Sequence, residues 1–124
     1  MTTWTGNELT IIGNAEALSL AAIRRDGTLG DRVVVGVVLL GGDLYVRAYR
    51  GTESSWFRST QVLRKGRIWA GGVEKDVGFE VANEALADEI DAAYRSKYGH
   101  HSASITNLVT SPAARAATLK LVPR

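Results

Sequence analysis

The side chains able to do chemistry in this chain are concentrated in one stretch, residues 47–67, which reads RAYRGTESSWFRSTQVLRKGR. It holds six cations against a single acid, Glu53, with Ser54 and Ser55 side by side ahead of the aromatic pair Trp56-Phe57. Guanidinium groups donate paired hydrogen bonds to phosphate or carboxylate oxygens. Hydroxyls at a helix start add to backbone N–H groups that already point at an anion. Arg47, Ser54, Ser55 and Arg58 therefore read as a cradle for negative charge, and a phosphorylated small molecule is the ligand class that such a cradle suits. Tyr98 and His100, farther along, are the side chains placed to move a proton.

The other constellations that carry catalysis are missing from the sequence. There is no paired-carboxylate, Ser-His-Asp, GxGxxG or Walker pattern. With no cysteine, disulfides and thiolate sites are excluded, which fits a reducing cytoplasm. His100-His101 lacks a third ligand at useful spacing, so no metal site is expected. The net charge is only +2, and the segment from Glu74 to Asp91 carries seven acids and one lysine, so nucleic acid is not the expected partner. No apolar run approaches the roughly 20 residues that span a bilayer, and MTTWTGNELT does not have the form of a signal peptide. The 124 residues suffice for one domain, 1–124, with a single core.

These groups need a scaffold, and its elements are written in the residue pattern. Thr5 and Glu8 form a capping box for a helix from Gly6 to about Gly13. Leu18 to Ile23 alternates as a strand that ends at Arg24-Arg25, ahead of an Asp26-Gly27 turn. VVVGVVLL, Val33 to Leu40, reads as one central strand buried on both faces, and Gly36 within it marks either a bulge or a close backbone approach. Gly41-Gly42-Asp43 turns it back into Leu44 to Tyr49, which sets Leu44, Val46 and Ala48 on one face and Tyr45, Arg47 and Tyr49 on the other. Ser54 or Ser55 caps a helix to about Leu63, which Gly66 ends. Ile68 to Gly71 and Val73 to Val81 pair as strands, and Asn83 caps a helix over Glu84 to Tyr98. A polar loop follows at His100. A short helix opened by Pro112 and a last strand, Thr118 to Val122, complete the order. Six strands in hairpins with helices at the gaps predict an α+β fold, a small six-stranded antiparallel β-barrel with flanking helices.

The succession of a strand, GGD, LYVRAYRG, SSWFR, a strand pair and DEIDAAYRSKYG resembles a family of small bacterial proteins of unknown function. That family is similar in layout to the split-barrel flavin and deazaflavin binders, which include pyridoxamine-phosphate-oxidase-like and deazaflavin-dependent nitroreductase-like proteins. The resemblance implies an oxidoreductase acting on a small organic substrate with FMN or a deazaflavin cofactor. It matches Arg47 and Tyr49 to the strand positions that hold the cofactor phosphate, and Ser54, Ser55, Trp56 and Arg58 to the loop and helix start. Trp56 stands where relatives often carry a lysine, which is closer to the deazaflavin branch. The resemblance also implies a homodimer with the cofactor near its seam. Hydride chemistry belongs to such a cofactor, so the chain need supply no acid or base, and Tyr49, Tyr98 and His100 are the candidates if it does. A cofactor-free small-molecule enzyme or binding protein that keeps the barrel pocket is the alternative.

Overall fold

The most apolar run of the chain is also the one that shapes it. Val33–Val35 (β2) and Val37–Leu40 (β3) are consecutive in sequence with Gly36 between them, yet they stand at opposite ends of the strand order β2-β1-β5-β6-β7-β4-β3. One extended segment thus pairs through its first half with β1 (Leu18–Ala22), Leu18 opposite Val35 and Leu20 opposite Val33. Its second half pairs with β4 (Asp43–Arg47), Val37 opposite Val46 and Leu40 opposite Asp43. The two edges of the sheet meet at Gly36, and the sheet becomes a nearly closed antiparallel barrel, which leaves little free edge to pair with other chains. The expected single strand, buried on both faces, is therefore two strands at the two sheet edges, and the barrel has seven strands among the described residues where six are predicted. This is a computed structural model, describing residues 3–99 and 103–124.

The remaining strands are β5 (Lys65–Ala70), β6 (Val73–Val81) and β7 (Thr118–Pro123). Every strand pairing among the described residues is antiparallel, and alternation sends Leu20, Leu44, Val46, Ile68, Phe79 and Leu121 into the barrel interior, each at most 1% exposed. Burying such side chains contributes roughly 1.5–3 kcal/mol each. Helix α1 (Gly6–Asn14), started by the Thr5–Glu8 capping box, adds Ile12 to this core, with Trp4 and Leu9 packed against it. Helix α2 (Ser55–Leu63) adds Phe57.

A second cluster lies outside the barrel. Helix α3 (Ala87–Tyr98) and helix α4 (Ala103–Val109) cover the outer face of β3 and β4, where Val38, Tyr45, Ile90, Tyr94 and Val109 pack together. A single 3₁₀ turn over Glu84–Leu86, capped by Asn83, precedes α3 in place of the first turn of the expected α-helix. Helix α5 (Pro112–Ala116), capped by Ser111, leads into β7.

One glycine does work that the residue pattern misassigns. Gly66 does not stop α2: Arg64 does, in the left-handed region at φ 58°, and Gly66 lies inside β5. A Cβ at Gly66 would sit 2.1 Å from the Ala21 carbonyl oxygen and 2.8 Å from the Phe79 ring, so its missing side chain lets β1 approach β5. At Gly36, of the two alternatives, the neighbour is a side chain: a Cβ there would lie in van der Waals contact with the Tyr98 ring at 3.4 Å. Helix α4 is expected as part of a polar loop. It is helical because Thr106 and Val109 turn inward, leaving Ile105 and Leu108 exposed.

Candidate functional site

The face carrying Tyr45, Arg47 and Tyr49 is not left to solvent or ligand, because α3 lies across its first two side chains. Tyr45 is 3% and Arg47 1% exposed. The Arg47 guanidinium donates from Nε to Thr118 Oγ1 at 2.9 Å and from Nη1 to the Val109 carbonyl at 2.9 Å and the Asp91 carboxylate. Its Nη2 donates to the Ala87 carbonyl at 3.2 Å. The other Asp91 oxygen accepts from Arg115, whose Nη2 also reaches Asp88 at 2.9 Å. Four donor contacts to the protein leave Arg47 as a tie between β4, β7, α3 and α4. This corrects the expectation that Arg47 holds a ligand phosphate: the acid-rich segment supplied its partner first.

Tyr98 likewise turns inward. Its hydroxyl accepts from Val37 N–H at 3.1 Å and donates to the Glu16 carbonyl at 2.8 Å, while Tyr94 donates to Gly36 O at 3.0 Å. The two stacked rings satisfy backbone groups where the barrel's edge strands part. Burial pushes both phenols above the usual tyrosine range, against proton transfer near neutral pH. Tyr49 is 43% exposed in the turn after β4. Arg58 is exposed and paired with Glu53 at the surface, an arrangement of little energetic weight. His100 lies outside the described residues.

Ser54, Ser55 and Trp56 sit at the start of α2, as expected. Ser54 takes the N-cap position with extended backbone and is 9% exposed, but its side chain makes no capping bond. Phe57 is pulled into the barrel core, and Trp56, edge-on to it at 6.4 Å, is half-buried and packs against the same cluster. Ser55, Trp56 and Ser59 line a cleft of about 380 Å³. Its opposite wall is the β1–β2 connection, which brings in Arg24 and Arg25; Leu20, Val33 and Val62 supply apolar surface.

The connection is shaped locally. Asp26 accepts from Thr28 N–H at 3.0 Å and from the Thr28 hydroxyl at 2.6 Å, and Gly27 takes φ 87° between them. Those bonds hold the Asp26 carboxyl below the usual range. Gly30 N–H then returns to Ala22 O at 2.8 Å, closing the loop beside α2. Asp31 also lines the cleft, 3.7 Å from Arg24 Nη2 in a solvated pair, and Arg24 Nη1 donates to the Leu29 carbonyl at 3.3 Å. The cleft thus unites two of the expected residues, Ser55 and Trp56, with two cations from elsewhere. Arg24-Arg25 ahead of an Asp-Gly turn is a legible sequence signal that the reading above uses only as a strand end.

The family's profile matches residues 8–121. The chain belongs to the uncharacterized proteins conserved in bacteria, DUF2255. No curated protein matches it. Among solved structures, this DUF2255 chain is similar to HutZ, a heme storage protein from Vibrio cholerae, at TM-score 0.70 and 11% identity, over 99% of this chain and 92% of that one. It is similar to an F420 reductase at TM-score 0.57 and 15% identity, covering 93% and 90% of the two chains. A FAD-binding protein from Mesorhizobium loti matches at TM-score 0.52 and 18% identity, over 99% and 92%. At such identities the likeness establishes the split-barrel fold. Among the described residues no helix is long and apolar enough to cross a membrane, and no three His, Asp or Glu side chains could together hold a metal ion.

Proposed function

We propose that the chain binds a phosphorylated flavin-type cofactor, FMN or a deazaflavin, in the cleft beside α2 and works as a nitroreductase-like oxidoreductase on a small organic substrate. The observation that carries this reading is the convergence of Ser55, Ser59, Arg24 and Arg25 with the Trp56 ring around one cleft. The donor set fits the group: cations and hydroxyls suit a phosphate, and an indole beside apolar wall suits a flat ring system. A bound flavin or deazaflavin would supply the hydride chemistry. The chain's own part is to hold the phosphate with Arg24, Arg25 and Ser55 and to orient the ring against Trp56. Split-barrel neighbours whose names record F420 or FAD support the same class of ligand.

Val34, 71% exposed on β2, and Val62, 43% exposed on the cleft wall, offer apolar surface that a second copy would cover. A homodimer closing the cleft is part of the same proposal, and sedimentation would read it. Titration of the purified chain with FMN and with the deazaflavin cofactor, followed by absorbance, tests the main reading: saturable binding at tens of micromolar or below supports it. No binding of either would shift the reading to a cofactor-free small-molecule binder. The placement of Arg47 and Arg58 outside the cleft is the observation that favours that second reading.

A further inference from the structure

A separate cleft of about 420 Å³ lies where the C-terminal end of α1 meets β3 and α3. Thr10 and Asn14 line it from α1, Val38 and Leu39 from β3, and Ser96 and Lys97 from α3. It shares no lining residue with the cleft beside α2.

Lys97 differs from the other three lysines of the chain. Lys75 pairs with Glu8 at 2.9 Å and Lys120 with Glu80 at 4.0 Å, while Lys65 stands partly exposed on β5. Among the described residues Lys97 has no carboxylate within ion-pair distance. Its Nζ donates instead to the Val37 carbonyl at 2.6 Å and lies 5.1 Å from the Tyr98 ring centre. The same carbonyl also accepts from the Tyr98 hydroxyl at 3.3 Å. Val37 O accepts one N–H of the ammonium, and loss of a proton from the cleft side would free the lone pair to act as a nucleophile.

We propose that Lys97 is a reactive amine that condenses with small uncharged carbonyl compounds entering this cleft. The nitrogen lone pair forms a C–N bond to the carbonyl carbon. The carbonyl oxygen then leaves as water with the two amine protons, giving an imine, and nothing is oxidised or reduced. The ligand is uncharged because Thr10, Asn14 and Ser96 are neutral hydrogen-bonding groups and no second cation lines the cleft.

The electrostatic surroundings agree. Burial pushes the Lys97 ammonium down to about 8, opposed by Glu16 on the α1–β1 connection. Tyr98, on the same helix, faces it as a neutral phenol, β3 offers the Val37 carbonyl, and α1 offers only Thr10 and Asn14.

The test incubates the full chain with propanal and cyanoborohydride, which reduces an imine to a stable secondary amine, and maps adducts by peptide mass. At about pH 7.5, Lys97 is expected to react roughly tenfold or more faster than Lys65, Lys75 and Lys120, since its larger neutral fraction outweighs its lower basicity. Its rate should saturate with propanal. Equal labelling of all four lysines, or a preference at Lys97 for glyoxylate over propanal, would overturn the assignment. Lys97→Arg should abolish the fast adduct. Where that variant fails to fold, the competition among lysines in the unmodified chain decides alone. Ser96→Leu keeps the amine and narrows the cleft, so the Lys97 advantage should fall; an unchanged rate would mean a reactive amine without a binding cleft, and the proposal would go.

Discussion

Arg47 and Arg25 carry the same guanidinium and both leave the barrel from strand ends, but they meet opposite surroundings. Helix α3 lies over Arg47 and presents Asp91, so that the cation, its acid and three further acceptors form a buried lattice. Arg25 is carried on a turn built by Asp26 and Gly27 and is exposed beside α2, facing hydroxyls and an indole. The difference lies in what covers each group. A cation satisfied by the protein on every side is architecture, whereas one left facing a cleft is available to a ligand.

The largest test of this contrast is Arg47→Ala, which leaves Asp91 buried without its main partner. It is expected to cost about 3–5 kcal/mol in a urea unfolding midpoint. Replacing both partners, Arg47→Met with Asp91→Leu, should cost clearly less, since no charge is then stranded. A small loss in Arg47→Ala would mean that the network is not what fastens α3 to the sheet.

Next in size are the cleft cations. Arg24→Ala and Arg25→Ala should leave the unfolding midpoint within about 0.5 kcal/mol and weaken FMN or deazaflavin binding roughly 10- to 150-fold, as expected for a charge-assisted contact of about 1.5–3 kcal/mol. Unaltered affinity in both variants would move the phosphate elsewhere.

A smaller effect separates the two sides by pH. The folded-state value of Lys97, about 8, lies below its ordinary 10.5. The unfolded chain therefore binds more protons between those values, and the folded state gains stability as pH rises through that window. In Lys97→Met this gain should disappear, read as the difference between the two proteins' urea midpoints across the window. Parallel midpoints would show an ordinary, solvated ammonium. The smallest effect belongs to Arg58→Ala, which loses only a surface pair and should change both stability and affinity by less than about 0.5 kcal/mol.

Parts of the charge blocks visible in the sequence pair with one another. Arg67 in β5 is opposite Asp76 in β6 and also reaches Glu74, while Asp88 and Asp91 receive Arg115 and Arg47. A basic run and an acidic run read as separate surfaces in one dimension become adjacent when antiparallel strands and a covering helix fold them together. The same folding explains Tyr98, whose helical spacing is plain but whose hydroxyl reaches a backbone group 61 positions away. Among the described candidates, Ser55 and Trp56, local to a helix start, are the two that line the cleft.

Read alone, the chain specifies what depends on neighbours in sequence: the Thr5–Glu8 capping box, the Asn83 and Ser111 caps, the alternation of β4 and β7, and hence a small antiparallel α+β barrel. What required three dimensions is everything set by long-range closure. The VVVGVVLL run serves both edges of one sheet, Gly66 makes room for Ala21, and Arg47 is taken by an acid while Arg24 and Arg25 are brought to α2. Local patterns record which backbone geometry each residue favours, whereas the partner of a buried charge is decided by which elements come to lie against it.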